Sequence, residues 1–176
     1  IIPPDVSVSQ YKFTVNDAGS IVYGLGAIKG LGEGPIEAII DGRGDGDPYQ
    51  DLFEFCRRVD IKKLNRRSLE SLVRAGAFDE LKADRATIMA SLPDAILAAT
   101  QYKQNQNAGM ADLFGGGEAA EELGGEYTPA HAWSDDERLN GEKNTLGIYL
   151  TGHPIDQYEK ELANFISSRI NNLTPG

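Results

Sequence analysis

Residues 24–40 read GLGAIKGLGEGPIEAII. An apolar segment runs into glycines at 30, 32 and 34 and then into a helix start, so the chain has to reverse within a few residues. Glycine tolerates φ > 0 and lets another backbone come close. Gly30-Leu31-Gly32 therefore reads as a tight turn. It joins a short helix over about 25–29 to a helix opened by Gly34-Pro35, where proline's missing N–H does least harm. Two helices joined in this way form a helix-hairpin-helix. The N–H groups of the turn and of the following helix end have no intrahelical partner and can face an anion, aided by the helix dipole. Lys29 adds a charge at that place. A monovalent cation bridging hairpin carbonyls to a phosphate is compatible with such a turn. Spacing alone leaves two readings open, contact with a phosphate backbone or a tight turn and nothing more. A dinucleotide fold fits less well, because the glycines at 24, 26 and 30 lack the GxGxxG spacing and no βαβ unit surrounds them.

A second helix pair follows. Asp47-Pro48 is read as its opening, and Leu52, Phe55, Cys56 and Val59 have the spacing of an apolar helical stripe. Asn65 is placed to cap a helix beginning at Arg66, with Leu69, Leu72 and Val73 on its apolar face and Gly76 at its end. The turn between these helices carries Lys62, Lys63, Arg66 and Arg67. Cations next to a helix N-terminus oppose its dipole by a few tenths of a kcal/mol, and a bound polyanion would offset this. Net charge over the chain is −10, yet residues 57–74 hold seven basic and two acidic side chains, a local balance of +5. Residues 104–142 hold nine acidic side chains against Arg138, a balance of −8. A local basic face governs phosphate contact more than the total does. No aromatic residue is interleaved with the cations, so stacking on single-stranded bases is not indicated, and sequence-independent contact with a duplex backbone fits better.

The remaining signals are mostly helical. Tyr11, Phe13, Val15, Ile21 and Tyr23 alternate with polar residues around Asn16-Asp17-Ala18-Gly19, which predicts a short β-hairpin over roughly 10–15 and 20–24. Asp84 is placed to cap a helix to about Leu92, and Pro93-Asp94 to start another to about Gln106. Residues 103–131 are rich in Gln, Asn, Gly, Glu and Ala and read as a flexible linker. Within it lies Met110-Ala111-Asp112-Leu113-Phe114. Leu113 and Phe114 have no local core to join, which makes them candidate anchors for a partner's pocket, with packing back onto their own domain as the other reading. Ser134 and Glu137 form a capping-box pattern for a helix to about Leu150. Gly152-His153-Pro154 breaks it, and a last helix is expected over roughly 155–165.

The fold class expected is mainly α, a tandem helix-hairpin-helix with a short N-terminal β-hairpin and a flexible linker before C-terminal helices. One cysteine and two histidines cannot build a Cys/His metal cluster. Asp135-Asp136-Glu137 reads as the ordinary acidic first turn of a helix. The lone Cys56 excludes an internal disulfide, and neither a signal peptide nor a membrane span is visible. These features predict an intracellular piece of a longer protein. A repair or recombination scaffold and a helical protein-interaction domain without DNA contact are rival readings.

Several stretches together resemble one family. They are Ile2-Pro3-Pro4-Asp5-Val6, the run from Tyr23 to Ile40, Leu52-Phe53, the run from Asp60 to Phe78, and the run from Thr145 to Pro154. They are similar to the alpha-subunit family of bacterial DNA polymerase III, the replicative C-family polymerases. The resemblance implies that residues 1–24 close the fingers region and that residues 25–102 form a tandem helix-hairpin-helix domain on the duplex leaving the active site. It implies that residues 103–131 are a linker with a clamp-binding peptide, and that residues 132–176 are helices leading to a further domain. The implied DNA contacts are Lys29, Gly30, Leu31, Gly32, Gly34, Lys62, Lys63, Asn65, Arg66 and Arg67. The family's clamp-binding pattern is Gln-x-Asp-Leu-Phe. Ala111, Asp112, Leu113 and Phe114 fit it, whereas Met110 stands where glutamine is usual. The implied partners are double-stranded DNA, the sliding clamp (beta subunit) and other replicase subunits, in the cytoplasm and without a membrane. The nucleotidyl transfer and its Mg belong to an upstream palm region, so no cofactor and no catalytic residue are expected here.

Overall fold

The computed structural model describes residues 1–44, 46–81, 83–107 and 125–165. Two strands, β1 (Thr14–Val15) and β2 (Ile21–Val22), pair antiparallel, with Val15 opposite Ile21. Asn16 closes their turn, its side-chain oxygen accepting from the Ser20 N–H at 2.9 Å. The strands are shorter than the alternation predicts. Phe13 leaves the ladder to pack edge-on against Tyr23, with centroids 4.7 Å apart.

Six α-helices follow among the described residues: α1 (Glu33–Asp41), α2 (Leu52–Arg58), α3 (Arg66–Ala75), α4 (Arg85–Asn107), α5 (Asp135–Leu146) and α6 (Glu159–Leu162). The fold is mainly α, as the periodicity implies. A 3-10 turn, Leu25–Ala27, stands in place of the expected first helix. With α1 it forms the first hairpin, and α2 with α3 forms the second. Leu52, Phe55, Cys56 and Val59 are fully buried, as are Leu69, Leu72 and Val73, so both predicted stripes face one core. Phe55 lies at its centre, edge-on to Tyr49 and to Phe78, each at 4.9 Å.

The caps of α3 lie where local chemistry puts them. The Asn65 side chain accepts from the Ser68 N–H at 2.8 Å, and Gly76 ends the helix at φ +79. In α2 the expected opening at Asp47-Pro48 is displaced. Asp51 caps the helix by accepting from the Glu54 N–H at 2.8 Å, and Pro48 stays outside it. Pro93 does not start a new helix either. It lies inside the single 23-residue α4, whose buried stripe of Ile88, Leu92, Ala95 and Ala99 continues across it. A proline inside a helix costs about 3 kcal/mol. Burial against α2 and α3 on both sides of Pro93 outweighs that.

Described structure reaches into both ends of the expected linker. α4 runs through Asn107. At the far end the Tyr127 ring packs edge-on to Phe53 at 5.5 Å, and its hydroxyl accepts from the Leu52 N–H at 3.1 Å. The capping box at Ser134 and Glu137 is present, but α5 stops at Leu146 because Gly147 turns left-handed at φ +81. The last expected helix shrinks to a 3-10 turn, Asp156–Tyr158, and the single turn of α6. Ile155, Tyr158 and Phe165 stay exposed there, so no burial supports a longer helix. Among the described residues, no helix is long and apolar enough to cross a membrane.

Gly76 gives a direct test of this architecture. A Cβ added there would meet the Asp79 carboxylate at 2.8 Å as well as the Arg85 guanidinium, on a backbone with positive φ. Gly76→Ala should lose about 1–2 kcal/mol from the left-handed backbone alone. Thermal unfolding should show this as a drop of several degrees in Tm.

Candidate nucleic-acid interface

The first hairpin turn forms where the sequence places it, but its three glycines do different things. Gly30 has φ +86. The close approach that it permits is used within the protein, since an added Cβ would lie 3.0 Å from the Ser71 hydroxyl of α3. Its carbonyl accepts from the Ser68 hydroxyl at 3.4 Å. Gly32 and Gly34 have ordinary backbone angles for an N-cap and a first helical turn. They face open space, with nothing inside 3.9 Å of an added Cβ at Gly32 and nothing within 4 Å at Gly34. Ile36 makes the first backbone bond of α1, to the Gly32 carbonyl, so the N–H groups of Gly32, Glu33 and Gly34 precede the helical ladder. Leu31 is buried beneath the turn, and Lys29 is exposed beside it.

The Gly30–Ser68 contact joins the glycine turn to the first turn of α3. That turn begins Arg66-Arg67 and contains no acidic residue. Lys62, Lys63, Asn65, Arg66 and Arg67 are all exposed. Lys62, Lys63 and Arg67 have no side-chain partner among the described residues, whereas Arg66 donates to Glu70 at 2.9 Å one helical turn on. Glycine turn and basic turn thus meet on one side of the molecule.

Not every cation of the +5 stretch serves that surface. The Arg58 guanidinium is wrapped by carbonyls, donating to Gly42, Arg43 and Asp47 at 3.1, 2.7 and 3.1 Å, and it pairs with Glu54 at 3.1 Å. It also lies 4.7 Å from the centre of the Tyr49 ring. Arg43 is buried and donates to the carbonyls of Val6 and Ser9 at 2.8 and 2.6 Å, tying the N-terminal segment to the hairpins. Both arginines are structural. Cys56 is buried, and desolvation pushes its thiol up to about 12, so it stays protonated and unreactive. His153 is a turn residue whose ring Nδ1 accepts from the Ile155 N–H at 3.2 Å. No group of three potential metal ligands occurs among the described residues. Met110, Ala111, Asp112, Leu113 and Phe114 lie outside the described residues.

Sequence reasoning missed a second cluster, where α5 meets the start of α4. Glu142 of α5 is 0% exposed. Its carboxylate accepts from the Thr151 hydroxyl at 2.6 Å, from the Leu150 and Thr151 N–H groups at 2.8 and 3.1 Å, and from Arg85 at 3.1 Å. Arg85 in turn forks onto Asp79 at 2.7 and 2.6 Å. Burial pushes the Glu142 carboxyl up, but the Thr151 hydroxyl, the two N–H groups and Arg85 outweigh it and hold the group below its ordinary value of 4.5. The one sequence signal was a glutamate on the inward side of a helix whose apolar partner is Leu139.

Because its folded pKa is depressed, Glu142 contributes stability that is complete above its unfolded value and is lost as pH falls through the folded one. Urea unfolding should therefore show Glu142→Gln well below the parent in stability above pH 4.5, with the gap closing as pH falls further.

Residues 1–88 match a family model described as a helix-hairpin-helix motif. The chain is also 51% identical over 176 residues to the DNA polymerase III subunit alpha of Vibrio cholerae, and 49% identical over 177 residues to that of Escherichia coli. The protein of the same name from Pseudomonas aeruginosa is 48% identical over 192 residues. Each alignment covers 99% of this chain, and the chain spans only about 15% of the length of these relatives. With half its length matched by that model and both hairpins in place, the chain belongs to the helix-hairpin-helix family, and it matches bacterial DNA polymerase III alpha subunits along nearly its whole extent.

Proposed function

We propose that this chain is a duplex-gripping segment of a replicative polymerase alpha subunit. The observation that carries this is the Gly30–Ser68 contact, which puts the open N–H groups of Gly32–Gly34 beside the exposed cations of the second turn. Backbone N–H groups at a helix start take a phosphate oxygen, and Lys29, Lys62, Lys63, Arg66 and Arg67 add charge along the strand. Such contacts hold a duplex without reading its sequence. The names of the relatives agree with a role in DNA replication. Nucleotidyl transfer then takes place elsewhere in a longer, cytoplasmic chain.

The segment Met110-Ala111-Asp112-Leu113-Phe114 is the proposed tether to the sliding clamp. A short linear peptide anchored by two apolar side chains binds at roughly micromolar strength, near −8 kcal/mol. A clamp encircling the duplex already held by the hairpins faces an effective concentration of about millimolar, so two weak contacts make one persistent hold.

Two experiments on the 176-residue chain test the two halves. Titration with a labelled duplex at two salt concentrations should show affinity falling steeply with salt. Replacing Lys62, Lys63, Arg66 and Arg67 with Ala should weaken binding and flatten the salt slope by about one unit for each phosphate no longer neutralised. An unchanged slope would favour a helical interaction domain. Leu113→Ala combined with Phe114→Ala should abolish capture by the immobilised clamp while leaving circular dichroism unchanged, and persistent capture would remove the peptide from the account.

A further inference from the structure

We infer that α5 and the residues after it act as a clasp across the two hairpins, and that Glu142 is the positioning residue that sets the glycine turn. The inference rests on the duplex-gripping reading for its functional consequence and on geometry alone for the clasp.

The last carbonyls of a helix lack intrahelical donors. In α5 the segment from Tyr23 to Lys29, which leads into the first hairpin turn, supplies them. The Lys29 N–H donates to the Thr145 carbonyl at 2.9 Å, and the Tyr23 hydroxyl donates to the Leu146 carbonyl at 2.9 Å, across 123 residues of sequence. The Lys143 amine covers the Gly147 carbonyl at 3.0 Å. The residue immediately before the Gly30 turn is thus fastened by its backbone to the end of α5. The same helix presses on the second hairpin. At Gly141 an added Cβ would lie 3.3 Å from the Arg74 carbonyl of α3, so the two helices approach closely. α5 therefore touches both halves of the tandem, although it lies outside the residues matched by the helix-hairpin-helix model.

What holds α5 in register is Glu142. Its carboxylate gathers Leu150 and Thr151 from beyond the helix end, and Arg85 from the start of α4. Arg138 also pairs with it at 3.9 Å. The run from Thr145 to Pro154, which the hairpins do not need for their own turns, thereby acquires a role. Its first two carbonyls cap the hairpin donors, and its Leu150 and Thr151 amides are locked by Glu142.

The test compares the parent chain with Glu142→Gln and with Tyr23→Phe, which removes one hydroxyl and keeps the ring against Phe13. Amide hydrogen exchange at Lys29 should rise at least tenfold in Glu142→Gln and by a smaller factor in Tyr23→Phe. The Val59 amide, bonded to the Phe55 carbonyl at 3.0 Å in the core, reports the global loss of stability, and the rise at Lys29 should exceed the rise there. Duplex affinity should fall several-fold with the salt slope unchanged. The sign is informative, because removing a negative charge by electrostatics alone would tighten binding to DNA. Lys29 protection equal to the parent in the folded variants overturns the clasp. Faster Lys29 exchange with unchanged affinity overturns its role in binding. If Glu142→Gln fails to fold, Thr151→Val, which removes the hydroxyl donor to Glu142, takes its place, and Lys29 exchange equal to the parent in that variant overturns the positioning role. A parent chain without duplex affinity overturns the DNA reading instead, and Lys29 exchange still decides the clasp.

Discussion

Glu142 carries a charge with no access to water, and its donors come from the start of α4, from the segment just after α5 and from Arg138 of α5 itself. Stripping a buried carboxylate of its partners costs about 3–5 kcal/mol, so the folded arrangement has to bring its donors together. That arrangement requires α4 to begin at Arg85, α5 to lie on α3, and residues 147–151 to fold back under α5. Each requirement fixes an element that touches a hairpin. The hydrophobic core supplies the bulk of the stability. The ionic cluster adds direction, because its hydrogen bonds weaken steeply once their angles open.

The two hairpins show how one residue type is divided among tasks. Gly30 serves the fold, admitting Ser71 and offering a carbonyl to Ser68. Gly32 and Gly34 leave their side of the turn open. The basic residues divide in the same way. Arg43 and Arg58 direct their guanidinium donors to backbone carbonyls, as a forked donor set suits them to do. Lys62, Lys63 and Arg67 remain exposed next to a helix N-terminus that carries no acidic residue. A charge count along the sequence treats these groups alike, and the fold separates them.

Much of the secondary structure was legible because it is set by neighbours along the chain. Asn65 capping α3, Gly76 ending it, the Ser134–Glu137 box and the apolar stripe from Leu52 to Val59 depend on residues within one or two turns. The errors share a cause. Pro93, the true start of α2 and the early end of α5 were each decided by packing or by a competing cap. The shrunken last helix lacked burial among the described residues. The order of residues 126–128 was missed because Tyr127 acquires its partners, Phe53 and Leu52, from across the molecule.

The sequence by itself determined two helical hairpins, one glycine-rich and one basic, and the local signals that start and stop their helices. Only the tertiary structure decided that the two turns touch, which arginines stay available, and that α5 braces both hairpins. The reason is range. Turn and cap chemistry acts over about four residues, whereas the contacts Tyr23–Leu146, Lys29–Thr145 and Arg85–Glu142 join residues 57 or more apart, and no pattern along the chain announces them.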